Sequence, residues 1–246
     1  MLADTLRELA GRRLTDMDGE ATILELQPPA TDDQIRRLEA SLPGPLPDEI
    51  RDALRVTTGL ANGPLESFSL LDLEGFGLDE AFPHAYSVAH DGYGNYWVLD
   101  LLPDTTEWGP VFYACHDPPV IAYQAPTLEA FLVDVVALPP DDPRSPIDQV
   151  HEKAVSQIWH DRTGFVPQPA AVSSTDPVIR EFAASLPADA LIADLRVARL
   201  GDGFAWGRHG PRTTIRRCGT ERVWAVLPPP PKPPGLLSRL FGRGSS

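Results

Sequence analysis

Lysine is missing from residues 1–150, and the whole chain of 246 residues carries only two cysteines. Cys115 and Cys218 lie far apart in sequence, which excludes a disulfide framework and any zinc-type spacing and suits a reducing, cytoplasmic setting. No run of about 18 apolar residues occurs, so no membrane span is expected. Met1-Leu2-Ala3-Asp4 brings an early acid and no basic, apolar stretch, so no signal peptide is expected either. HExxH, CxxC and HxH spacings are absent, and no internal repeat is evident. What the chain does have is 42% apolar residues, enough to bury a core, together with 27 prolines and 19 glycines that demand many turns. Its length fits one large or two modest domains.

The net charge of −14 conceals a split. Residues 1–150 hold 27 Asp or Glu against 8 Arg, a net −19, whereas residues 151–246 carry a net +5. A field this acidic repels nucleic acid and anionic membrane and attracts a basic partner. Acidity also serves solubility alone, so charge by itself does not select the partner reading.

Periodicity sets out the N-terminal half. Leu2, Leu6 and Leu9 recur at helical spacing within residues 1–13, and residues 22–26 read as a strand. Thr31 and Gln34 form a capping box for a helix whose buried stripe is Ile35, Leu38 and Leu42, broken by Pro43-Gly44-Pro45. Pro47 starts a further helix, running to about Thr58, with Ile50 and Leu54 inward. Strands are expected near 68–73, 86–90, 96–101, 110–115 and 119–123, followed by a helix capped by Thr127 that carries Leu128, Phe131, Leu132 and Val135.

Residues 139–146 (PPDDPRSP) read as a stiff linker, and the charge balance changes sign just beyond them. Residues 147–227 read as a small α+β module of unknown role. It has a helix near 147–160, a second helix started by Asp176-Pro177, and strands at 190–200, 203–208, 212–217 and 221–227 joined as a meander. Residues 228–246 read as a polyproline tether holding out a tip with Leu236, Leu237, Leu240, Phe241 and two arginines, a possible docking peptide for a second protein.

The most distinctive stretch is His84–Asp117. A turn, Asp91-Gly92-Tyr93-Gly94-Asn95, enters the run Tyr96-Trp97-Val98-Leu99-Asp100, and Gly109-Pro110-Val111-Phe112-Tyr113 leads to His116-Asp117. Upstream stand Leu46-Pro47, Asn62-Gly63 and the segment 70–77, and downstream Pro126-Thr127-Leu128-Glu129-Ala130-Phe131-Leu132. In this order the pieces resemble the SUKH superfamily of bacterial immunity proteins and fungal cell-wall-synthesis regulators, over residues of about 28–137. The family pattern is a DGGGN turn, an aromatic strand ending in Asp, then a GPVY strand ending in His and an acid. Tyr93 stands where the family usually has a third glycine, and the tryptophan common in its first helix is absent.

The resemblance implies an α+β fold: a SUKH-like mixed sheet of about five to six strands flanked by helices, here occupying residues 1–138, beside the smaller module and the Pro-rich tail. It implies a non-enzymatic protein-binding module, an immunity protein that neutralises a basic, nuclease-type toxin by stoichiometric binding. The alternative is a regulatory scaffold recruiting partners through its C-terminal module and tail. Loop position and side-chain type make Asp79, Glu80, Asp91, Tyr93, Asp104, Glu107, Trp108 and Asp117 the candidate partner-binding residues, with Trp108 and Tyr93 as anchors.

Other chemistry finds less support. His84, His90 and His116 flank strand ends and would need to converge to hold a metal or move a proton, whereas strand-end histidines more often serve turns. Gly92-Tyr93-Gly94 leads into a strand, lacks a lysine and sits beside Asp91, which suits a tight turn better than a phosphate cradle. Cys115 and His116 are adjacent on a strand and point to opposite faces, so they make no nucleophile–base pair. Arg208, Arg212, Arg216 and Arg217, bracketed by Trp206 and Trp224, form the only basic cluster; internal docking against the acidic half is preferred to nucleic-acid binding. No cofactor, metal or catalytic residue is assigned.

Overall fold

Strand alternation fixes the layers. The computed structural model describes residues 1–15, 21–61, 63, 65–71, 77–103, 105–137 and 145–229. The strands are β1 (Arg13–Thr15), β2 (Ala21–Ile23), β3 (Glu25–Leu26), β4 (Gly59–Ala61), β5 (Ser67–Ser69), β6 (Ala85–His90), β7 (Tyr96–Asp100), β8 (Val111–His116), β9 (Pro119–Ala125), β10 (Val166–Pro167), β11 (Leu191–Asp194), β12 (Gly203–Phe204), β13 (Thr214–Arg217) and β14 (Val223–Leu227). The helices are α1 (Leu2–Leu9), α2 (Asp32–Ser41), α3 (Asp48–Leu54), α4 (Leu128–Ala137), α5 (Pro146–Asp148), α6 (Val155–Asp161), α7 (Gln168–Ala171) and α8 (Pro177–Ala184), with a π-helical turn, Gln149–Ala154, between α5 and α6.

An eight-stranded antiparallel sheet, in the order β12-β9-β8-β7-β6-β5-β4-β3, is buried on both faces at β7, β8, β9 and β12. On β7, Trp97 and Leu99 join a core shared with α1–α4 and α6, while Val98 joins a second core on the opposite face. Val111, Tyr113 and Cys115 of β8 and Val120 and Ala122 of β9 repeat the first set; Phe112 and Ile121 repeat the second. This period of two with apolar residues on both sides is why the runs read as continuously hydrophobic.

The second core lies between this sheet and a four-stranded one ordered β10-β11-β14-β13. Trp224 is fully buried there against Phe82, Phe112 and Phe204, and its indole N–H donates to the Ala81 carbonyl at 2.7 Å. α7 and α8 cover the outer face of the small sheet, with Ile179 and Phe182 against Ile192, Val223 and Ala225. The layers therefore run helices, large sheet, small sheet, helices. No helix among the described residues is long and apolar enough to cross a membrane.

The α+β class and the SUKH-like sheet stand as expected, and so do the three caps, that of α4 through the Thr127 hydroxyl, which accepts from the Ala130 N–H at 3.1 Å. Thr31 and Gln34 close the capping box, and Asp176 accepts from the N–H groups of Val178 and Ile179. The sheet is antiparallel and larger than expected because β4 and β12 add to it. The helix from Pro47 ends at Leu54, since the Thr57 hydroxyl bridges Gln27 and Gly59 backbone groups and turns the chain into β4. A Cβ at Gly59 would stand 2.3 Å from the Phe68 carbonyl oxygen, so only glycine permits that approach to β5. The expected strand at 22–26 divides around Leu24, whose side chain turns fully into the core.

The meander expected in the C-terminal region is not formed. β12 leaves for the large sheet and pairs with β9, so β11 pairs with β14 instead of its sequence neighbour. Gly203 permits this: a Cβ there would meet the Ile121 carbonyl oxygen at 2.1 Å. Val150, Ala154, Val155, Ile158 and Ala205 likewise enter the core under the first four helices. Of the expected linker, residues 139–144 lie outside the described residues, as does the tail from 230 onward.

Asp134 on α4 sits among buried neighbours, and burial pushes its carboxyl up from 3.8 to about 6. A raised carboxyl favours the neutral form in the fold. Its contribution is therefore complete below pH 4 and is lost as pH rises through 6, leaving a buried charge as a cost at neutrality. Asp134→Asn is expected to stabilise the protein at pH 7 by about 1–2 kcal/mol, after allowance for partial exposure, and to give no gain at pH 3.5. Urea unfolding at the two pH values checks this; equal effects at both would refute it.

Candidate functional site

The turn between β6 and β7 is built around a buried carboxylate. Asp91, 5% exposed, accepts from the N–H groups of Tyr93 (2.9 Å) and Asn95 (3.2 Å) and from the Asn95 amide nitrogen (2.6 Å). The Tyr113 hydroxyl donates to it from β8 at 3.4 Å, and His151 Nε2, on the π-helical turn, lies 3.6 Å away. Burial would raise the Asp91 carboxyl, but the bonds from Asn95 and Tyr93, with His151 nearby, outweigh it and hold it below the usual carboxylate range. Gly92 and Gly94 take φ of 77° and 88°, the left-handed region the turn requires.

This network fixes a histidine tautomer. The Asn95 amide nitrogen is spent on Asp91, so Oδ1 faces β8 and accepts from the His116 backbone N–H at 3.0 Å. His116 Nδ1 lies 2.9 Å from the same oxygen and must be the protonated nitrogen, since Oδ1 only accepts. In the neutral ring Nε2 is then an acceptor, and it has no partner among the described residues.

Beside the turn, the layer between the two sheets opens into a cleft of about 270 Å³. Ala114, Cys115 and His116 from the end of β8 form one wall, and Thr213, Thr214 and Ile215 at the start of β13 face them. Gly77, Leu78, Glu80, Gly94 and Trp206 complete the lining. The Trp206 indole N–H donates to the Cys115 carbonyl at 3.1 Å.

The ordered set of turn, aromatic strand and closing His-Asp is thus one connected structure spanning β6 to β9. Residues 29–134 match the SMI1 / KNR4 family (SUKH-1). The SUKH-1 segment starts just ahead of α2 and ends inside α4, close to the span expected from the motifs. No curated protein and no solved structure matches the chain. Residues 145–229, which supply the small sheet and four of the eleven residues lining the cleft, lie beyond the SUKH-1 segment.

The eight residues singled out from the sequence do not share one surface. Asp91 and Trp108 are inside the molecule: Asp91 ties the turn, and Trp108 packs against Tyr86 with ring centroids 4.8 Å apart. Neither offers a partner its side chain, so neither stands as a contact residue. Asp104 lies outside the described residues. Glu80 lines the cleft, Asp79 precedes it, and Tyr93 (77% exposed) and Asp117 adjoin the cleft residues Gly94 and His116. Glu107 is exposed at the opposite end of the β7–β8 hairpin, about 17 Å away along five strand residues.

The histidines do not gather. His90 and His116 end strands two places apart, about 10 Å, and His84 precedes β6 at its far end. Among the described residues no three His, Cys, Asp or Glu side chains are placed to hold a metal ion.

Asp100, which in sequence only closes an apolar strand, joins the two sheets. It is fully buried and accepts from both terminal nitrogens of Arg217 (2.5 and 2.8 Å) and from Arg222 Nε (3.0 Å). The rest of the basic cluster is also used internally. Arg208 donates to the Ile158 and Trp159 carbonyls near the C-terminal end of α6 and stacks on Trp159, and Arg216 reaches the Ser185 carbonyl after α8. Arg212, exposed like Arg216, alone of the four makes no bond among the described residues. The signal available in advance was an acid ending an apolar strand opposite a surplus of arginines; which arginine meets it depends on the packing of the sheets.

Proposed function

We propose that the protein is a non-enzymatic binding protein of the immunity type, which neutralises a basic, nuclease-type toxin by stoichiometric binding. The observation that carries this reading is the asymmetry of free charge. Arg196, Arg217 and Arg222 are paired with Asp100, Asp176 and Asp194, and Arg208 and Arg216 reach carbonyl groups at helix ends, whereas Asp79, Glu80, Glu107 and Asp117 are exposed with no ion pair among the described residues. An acidic surface of this kind accelerates encounter with a basic protein and competes with its phosphate substrate. The SUKH-1 match over residues 29–134 supports a protein–protein role in preference to catalysis. The cysteine usage fits a cytoplasmic site of action.

Affinity capture from native lysate, repeated at low and high salt, is the direct test. A single basic partner lost at high salt is the expected result. Reversing charge at Asp79, Glu107 and Asp117 together should then slow association about tenfold at low salt while dissociation changes little. Unchanged association would remove these acids as the steering surface. A scaffold role for the C-terminal region is the second reading, favoured by Val197 (88% exposed) and Leu200 on the loop before β12. Loss of several captured proteins on deleting residues 228–246 would support it.

A further inference from the structure

We propose that the cleft between the two sheets receives an arginine side chain of the protein partner, which deepens the protein-binding reading and rests on it. The cleft presents two acceptors and an aromatic ring. Glu80 supplies a carboxylate that no described cation neutralises, and His116, locked with its proton on Nδ1, offers the Nε2 lone pair. Trp206 has spent its only polar hydrogen on Cys115, so what it has left to offer is its ring. Leu78, Ala114 and Ile215 add apolar wall, beside Thr213 and Thr214.

A flat cation with several N–H donors satisfies all of these surfaces together. The guanidinium group stacks on an indole, forks toward a carboxylate and is weakly hydrated, so it enters a half-apolar cleft at less cost than an ammonium. At about 270 Å³ the cleft is below the range that encloses most small-molecule ligands and suits a single long side chain. Two acids, Asp79 and Asp117, adjoin it, exposed and without an ion pair among the described residues, while of the neighbouring cations Arg216 turns to the Ser185 carbonyl and Arg212 is exposed. Tyr93, exposed on a turn held by the Asp91 network, adjoins the lining residue Gly94 as a further contact for the chain that brings the arginine. The site is composite, since Trp206 and residues 213–215 come from the region outside the SUKH-1 segment.

The test uses the full-length, isotope-labelled protein titrated with N-acetyl-arginine amide, its uncharged analogue N-acetyl-citrulline amide, and N-acetyl-lysine amide. Signals of the Trp206 indole and the His116 ring are followed by NMR. Saturable shifts with the arginine compound are expected, with binding at least about tenfold weaker for citrulline and weaker for lysine. Glu80→Gln should weaken arginine binding about tenfold while leaving the backbone spectrum in place, because Glu80 is exposed and makes no bond among the described residues. Absence of saturable shifts, equal binding of citrulline, or an unaffected Glu80→Gln protein would overturn the proposal.

The captured partner supplies the second arm. Full-strength capture by Glu80→Gln, or capture that arginine amide does not compete, removes the partner's arginine from the cleft while the protein-binding reading stands. If no partner is captured although arginine amide binds, the protein-binding reading fails, and the cleft becomes a site for a free guanidinium compound.

Discussion

Replacing Asp100 with alanine is expected to cost about 3–5 kcal/mol of stability, the range found when one member of a buried ion pair is removed. The carboxylate is fully buried and receives three charged N–H groups from two arginines. Its loss strands Arg217, whose side chain is 6% exposed, and the less buried Arg222. The cost arises from the uncompensated cations more than from the lost attraction, so the double variant Asp100→Ala/Arg217→Met should recover part of it. Urea unfolding followed by tryptophan fluorescence measures both proteins. The prediction fails if Asp100→Ala unfolds at the same midpoint as the parent, or if the double variant is no better than the single.

A chain ended at residue 137 is expected to lose cooperative folding altogether. The sequence divides readily there, and the SUKH-1 match ends at residue 134. Yet the cut removes every small-sheet residue that covers Phe82, Val98, Phe112 and Ile121, together with Val150, Val155 and Ile158 from the core on the other face. An apolar sheet face of this size, opened to water, drives association or a loosely packed state. The truncated protein should bind a hydrophobic dye and give no sharp thermal transition, in contrast to the full chain. A monomeric fragment with a cooperative melt would show instead that residues 145–229 decorate a domain stable without them.

The strands from β6 to β9 and the caps of α2 and α8 were legible because each rests on local chemistry: alternating apolar residues, a turn with two glycines, Thr31 with Gln34, and Asp176 ahead of Pro177. What escaped was set by contacts between distant segments. β4 and β12 are two or three residues long, too short for a periodic signal, and exist because Gly59 and Gly203 let two backbones meet. Asp91 and Trp108 looked like surface residues because acids and tryptophans in loops often are, but side chains from neighbouring strands enclose them. The internal use of Arg217 was legible in kind, as a cation set against an acidic half. The cleft was not legible, since its walls come from segments about 100 residues apart that meet only when the sheets stack.

The large sheet ends on both sides in a strand of two residues, β12 at one border and β3 at the other. So short a border gives an incoming polypeptide almost no row of free backbone groups to zip onto, which guards a β-rich protein against open-ended polymerisation. It also narrows how anything can be recognised at this sheet. A partner must be read by shape and charge at the strand tips, and variants that lengthen either border would be the ones to watch for fibre formation.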